Sequence, residues 1–132
     1  MFTTNYKIAF SDTDPGGIVF FANFFKVAHF AYEQFFESLN LRRNYFLDEE
    51  YIIPIVNSSA DFKFPAKFGD TFVCGVYVEQ IGTTSFSLKY DLIVNDRISA
   101  EVKTTHVFVK KADFKKTDLP KDLKLLLTEH LI

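Results

Sequence analysis

The sequence predicts an α+β domain in which one long, mostly buried helix lies on one face of an antiparallel sheet. Three observations predict it. A stretch beginning near residue 21 carries apolar residues at helical spacing. Later segments alternate apolar and polar residues with a period of two, broken by short turn signals. No repeat, low-complexity tract or Gly/Ser linker divides the 132 residues, so residues 1–132 read as a single domain, long enough for its own core.

Phe2, Tyr6, Ile8 and Phe10 share one parity, which predicts a half-buried first strand. Asp12-Thr13-Asp14-Pro15-Gly16-Gly17 then forbids regular structure and favours a tight turn. Phe21, Phe24, Phe25, Ala28, Tyr32, Phe35 and Leu39 recur at spacings of three and four, and Lys26, His29, Glu33 and Glu37 do so on another face. Both stripes have the helical period, and Val27, Phe30 and Ala31 widen the apolar arc. Asn23 is the expected N-cap and Asn40 a left-handed stop. His29 and Glu33, one turn apart, are expected to hydrogen-bond.

Strand signals follow a variable stretch over residues 42–50. Ile52 to Phe64 is apolar with small polar interruptions, and Pro65 and Gly69-Asp70 punctuate its exit. Phe72, Cys74, Val76 and Val78 alternate, as do Phe86, Leu88, Tyr90, Leu92 and Val94. Asn95-Asp96 predicts a two-residue hairpin, with Ile98 to Phe108 returning on its far side. Consecutive strands joined this closely predict an antiparallel meander. Asp118 is the expected cap of a short last helix striped by Leu119, Leu123, Leu126 and Leu127.

Composition narrows the function. A net charge of −2 and a pI near 5.9 argue against a nucleic-acid binder. No run of 18 apolar residues predicts a membrane span. The first ten residues lack the basic-then-apolar order of a signal peptide. Cys74 is the only cysteine, so no intramolecular disulfide forms, and a cytoplasmic location is expected. Cys74 reads as a small buried hydrophobe. His29, His106 and His130 show no metal-ligand spacing, so no metal is expected; His106 sits at a strand position that can be buried, and His130 is expected to be idle near the chain end. No Gly-x-Ser-x-Gly elbow supports a serine nucleophile. Seventeen phenylalanines are most simply a packed core, with an aromatic pocket as the functional alternative.

The densest chemistry lies in residues 12–19. Two carboxylates sit two apart before a turn that runs into the long helix. A helix start offers unpaired N–H groups and partial positive charge. A carbonyl oxygen held there has a more electrophilic carbon, which a carboxylate can attack directly or through an activated water. On the residues alone, Asp12 and Asp14 equally fit an Asx-turn before Pro15. A calcium loop fits less well, because Pro15-Gly16 breaks its ligand pattern.

Residues 10–36, with Asp-Thr-Asp-Pro-Gly-Gly-Ile-Val-Phe-Phe-Ala-Asn-Phe and a helix carrying Tyr32-Glu33, resemble the signature of the 4-hydroxybenzoyl-CoA thioesterase family. Ala60-Asp61-Phe62, Pro65-Ala66 and Gly69-Asp70 resemble that family's second strand and exit turn, and the likeness spans roughly residues 3–110. The resemblance implies a hot-dog fold, a five-stranded antiparallel sheet wrapped around a long central helix. It implies hydrolysis of an acyl-CoA thioester, with coenzyme A as part of the substrate and no cofactor. It implies Asp14 as nucleophile or general base and the Phe21 backbone N–H as oxyanion donor. Gly16 and Gly17 then let the backbone approach the acyl group. Phe20 and Phe24, with Phe10 and Phe21, are candidates to line an acyl pocket. One of Ser58 and Ser59 is placed near the site of a partner subunit, the alternative being a small residue facing the helix. A homodimer or homotetramer is implied.

One branch of the family carries His where Phe21 stands and Tyr where Phe10 stands. Here the expected mechanism therefore rests on the carboxylate and the backbone. A branch acting on dihydroxynaphthoyl-CoA shares features with Pro54 to Phe62. Coenzyme A phosphates are expected to meet lysines, either Lys110, Lys111, Lys115, Lys116, Lys121 and Lys124 or Lys63 and Lys67. A hot-dog hydratase or dehydratase and a non-catalytic acyl-CoA or acyl-carrier-protein binder are the alternatives. The loop's lack of His opposes the first, and Asp14 opposes the second.

Overall fold

The computed structural model describes all 132 residues. In chain order the elements are β1 (Phe2–Lys7), a 3₁₀ turn (Phe10–Asp12), α1 (Phe21–Ser38), β2 (Tyr51–Ile52), β3 (Ile55–Phe62), β4 (Thr71–Ile81), β5 (Ser85–Val94), β6 (Arg97–Val107), β7 (Val109–Lys110) and α2 (Lys121–Thr128). Five strands form one antiparallel sheet in the order β1-β4-β5-β6-β3, and β2 pairs with β7 in a small ribbon. The expected meander holds for β4, β5 and β6. It fails for β3, which pairs with β6 at the far edge, so residues 63–70 must cross back to reach β4.

The helix and sheet meet where the two periodicities coincide. α1 buries Phe24, Val27, Ala28, Ala31, Tyr32, Phe35 and Phe36. The alternating residues Phe72, Cys74, Val76 and Val78 of β4 and Phe86, Leu88, Tyr90 and Leu92 of β5 are equally enclosed and join them in one core. Ring contacts tie the layers along the helix: Phe24 to Phe72, Tyr32 to His106 and Phe36 to Phe86. Burying each such large side chain contributes ~1.5–3 kcal/mol. The opposite face carries Lys89, Glu101 and Lys103, which alternate with the core positions as the strand period requires.

The turn chemistry is resolved residue by residue. Asn95 and Asp96 both adopt positive φ, as a type I′ hairpin demands, and Asn40 ends the helical segment at φ 51. Two expected caps are displaced. Phe20 rather than Asn23 stands at the N-cap of α1, because the helix starts earlier than the polar residue suggests, and α2 is capped by Pro120 rather than Asp118.

Candidate active site

The segment with two carboxylates is pinned on three sides. Ile8 donates its N–H to Asp70 O at 2.9 Å, and Val19 donates to Ala66 O at 2.8 Å, so the 63–70 crossover runs beside it. Thr13 pairs with Val19, and Asp14 N–H donates to Ile18 O at 2.9 Å, folding residues 13–19 into a tight loop. Gly17 turns that loop at φ 82, a conformation that L side chains adopt only at a cost. The loop ends directly at the first turn of α1.

The two aspartates, alike in sequence, have different surroundings. Asp12 is enclosed, and its carboxylate accepts from Tyr6 Oη at 2.9 Å, Ala9 N–H at 2.9 Å and Lys26 Nζ at 3.1 Å. Burial alone would raise its pKa. The Ala9 N–H, the Lys26 ammonium and the Tyr6 hydroxyl outweigh burial and hold the carboxyl below its ordinary range. Asp14 is half-buried; its Oδ1 accepts from Gly16 N–H at 2.8 Å, and its Oδ2 has no partner within the chain. Asp12 is thus committed to the scaffold, whereas Asp14 leaves one carboxylate oxygen unpartnered.

The Phe21 N–H, first in α1, has no acceptor within the chain, nor has that of Ala22. Phe20 and Phe21 are exposed, with rings 4.9 Å apart. Phe24 is buried, and Phe62, at the end of β3, meets it at 5.2 Å and Phe21 at 6.4 Å. Phe10 is 76% exposed and packs edge-on against Phe68. Helix start, strand end and crossover therefore present an aromatic surface beside the Asp14 loop.

Ser58 and Ser59 are both exposed on β3, the outermost strand, and so neither is packed beneath the helix. Lys67 lies opposite Ile18 of the site loop, whereas Lys110, Lys111, Lys115 and Lys116 follow the far end of β6. Two open clefts, of about 510 and 560 Å³, are lined by residues around 33–51 and 108–122 and include none of the Asp14 loop. His29 makes no bond to Glu33; its ring faces Tyr32 instead. His130 is not idle, since its ring packs on Phe35 and its carbonyl accepts from Val78 N–H. Sequence reading missed the ties of Tyr6, Asn23 and Lys26 to Asp12 and the wall made by Phe62. The inward parity of Tyr6 was the available signal.

A five-stranded sheet packed on one long helix, with a half-free carboxylate before that helix's start, is the arrangement of a hot-dog domain. The chain belongs to the thioesterase-like superfamily, whose sequence profile matches residues 8–127. It is 34% identical over 124 residues to a 1,4-dihydroxy-2-naphthoyl-CoA hydrolase of Nostoc punctiforme, covering 92% of this chain and 83% of that protein. It superposes on a 1,4-dihydroxy-2-naphthoyl-CoA thioesterase from Synechocystis with a TM-score of 0.90 at 27% identity, covering 97% and 96% of the two chains. A gentisyl-coenzyme A thioesterase superposes with a TM-score of 0.85 at 25% identity, covering 95% and 98%. The chain is an acyl-CoA thioesterase of hot-dog fold.

Proposed function

We propose that this thioesterase hydrolyses an aromatic acyl-CoA, of the 1,4-dihydroxy-2-naphthoyl-CoA kind, with Asp14 as its catalytic carboxylate. The observation that carries the reading is the unpartnered Asp14 Oδ2 on a loop that ends at the free N–H groups of α1. The thioester carbonyl oxygen accepts from Phe21 N–H, which stabilises the charge that develops there. Asp14 either takes a proton from water, which attacks the carbon, or attacks the carbon itself to form a mixed anhydride that water then cleaves. Both routes consume one water and yield a carboxylic acid and coenzyme A thiol, so no cofactor or metal is needed. Gly16 and Gly17 keep side chains away from the acyl group, and Phe20, Phe21 and Phe62 offer it an aromatic surface, with Phe24, expected to line it, buried in the core behind them.

The substrate class rests on the aromatic surface and on the relatives' substrates, which favour a bicyclic acyl group over the 4-hydroxybenzoyl group of the resembling family. The working unit is a homodimer, alone or paired into a tetramer, joined through β3. That edge exposes Ile55, Val56 and Phe62, while the other edge, β1, exposes Thr3, Asn5 and Lys7. Pairing through β3 would bring Ser58 and Ser59 of each chain to the shared site. A cytoplasmic location fits the single buried thiol.

Thiol release from acetyl-, octanoyl-, benzoyl- and 1,4-dihydroxy-2-naphthoyl-CoA tests the reading. The aromatic substrates should give the higher kcat/KM, and Asp14→Asn should lower kcat by roughly 10²–10⁴-fold. Undiminished turnover by Asp14→Asn, or a preference for octanoyl-CoA, contradicts it. Rapid-quench mass spectrometry in single turnover separates the two roles, because only a nucleophilic Asp14 forms an acyl adduct; label entering Asp14 from ¹⁸O-water would establish that route as well.

A further inference from the structure

Asp12 is hydrogen-bonded to both elements that flank the Asp14 loop. Its carboxylate holds β1 and the turn after it, through Tyr6 Oη and Ala9 N–H, and reaches α1 through Lys26 Nζ. Its backbone carbonyl accepts from Phe20 N–H at 2.9 Å and from Asn23 Nδ2 at 2.9 Å. Five polar contacts thus converge on a side chain and carbonyl only two residues before Asp14, and the Asp12 residue is 1% exposed. Asn23, which does not cap α1, has this other task.

We propose that Asp12 is a positioning residue, acting with Lys26 to fix Asp14 against the mouth of α1; the inference rests on the reading of Asp14 as the catalytic carboxylate. The distance between a nucleophile or base and its oxyanion donors sets the rate steeply, and a misplacement of ~1 Å costs about a hundredfold. Asp14 belongs to the loop and the donor N–H to the helix. Asp12 is the shared anchor of both. Replacing its carboxylate by an amide forces one NH₂ to face either the Lys26 ammonium or the Ala9 N–H and Tyr6 hydroxyl, donor against donor. Lys26 holds its end from a 60% exposed side chain, so its charge can be removed without opening the core.

The test compares Asp12→Asn, Lys26→Met, Lys26→Arg and Asp14→Asn with wild type on the same four thioesters, with Tm measured alongside. Lys26→Met should lower kcat about fivefold to tenfold with KM within about twofold, beside a Tm lowered by the loss of the buried carboxylate's cation, and Asp12→Asn should lower kcat by about a hundredfold. Lys26→Arg should restore kcat to within about twofold of wild type, since it returns a cation to Asp12. Wild-type kcat in folded Lys26→Met, or losses confined to KM, overturn the proposal, and Lys26→Met decides if Asp12→Asn does not fold. An inactive Asp14→Asn beside a fully active Lys26→Met defeats the positioning role alone. A fully active Asp14→Asn defeats the reading of the site.

Discussion

At the residue scale, the site depends on small spaces as much as on charges. A Cβ built on Gly16 would lie 3.0 Å from Asp14 Oδ1, where the glycine's own N–H now holds that oxygen. Gly16→Ala must therefore shift the carboxylate by a few tenths of an ångström. The expected result is a severalfold fall in kcat with little change in Tm, read by thiol release and thermal melting. Gly17→Ala acts differently. Nothing crowds its Cβ, but φ is 82, so the substitution should cost about 1–2 kcal/mol of stability, read by urea unfolding. The pair separates displacement of Asp14 from strain in its loop.

At the element scale, the sequence was most legible where period and burial agree. The α1 stripe and the alternation from Phe72 to Val78 and from Phe86 to Val94 are the core as found, because a helix face or strand parity needs only its own spacing to be read. The position of β3 was not legible by the same means. Its residues, Ile55 to Phe62, are exposed or half-buried on both faces, so their parity carries no record of a core, and their pairing with β6 depends on a crossover that no local pattern encodes. Local spacing did not separate Asp12 from Asp14, which only the family resemblance singled out, because the surroundings of Asp12 are set by Tyr6 and Lys26, six and fourteen residues from it. The exposed apolar edge of β3 makes a prediction of its own. Val56 is 58% exposed on that edge, and a lysine there should oppose pairing with a second chain. Val56→Lys should elute as a monomer with its helix content intact and with thiol release largely lost. A dimeric and active Val56→Lys would place the interface elsewhere.

At the scale of the whole molecule, the buried titratable groups set the pH range in which the fold is stable. His106 has no solvent exposure and is stacked between Phe86 at 4.8 Å and Tyr32 at 4.6 Å. Its Nε2 lies 2.7 Å from Thr104 Oγ1, which also meets Tyr90 Oη, and its Nδ1 has no partner. Burial first, and the nearby His29 second, push its pKa down to about 3. Above the ordinary value of 6.5 neither the folded nor the unfolded chain protonates it, and stability is whole. As pH falls from 6.5 toward about 3, the unfolded chain gains a proton that the folded one refuses, so stability falls by on the order of 4 kcal/mol. Asp12, held low in the fold, adds a loss of the same sign below its ordinary 3.8. Cys74 closes the other side. Burial raises its thiol from 9.0 to about 12, so between those values the unfolded chain sheds a proton that the folded one keeps, and stability falls as pH rises. Urea unfolding should therefore show a plateau between about pH 6.5 and 9 with a decline on each side. His106→Phe keeps an aromatic ring between Phe86 and Tyr32 and removes its titration, so the decline between about pH 6.5 and 4 should become shallower, leaving the smaller share of His130, which burial also holds low. Cys74→Val should flatten the decline between about pH 9 and 10 alone, because burial also raises the hydroxyls of Tyr32 and Tyr90 and these keep stability falling above about 10. If His106→Phe keeps the wild-type acid slope, the proton uptake belongs to other groups, and the buried imidazole is not what limits the fold in acid.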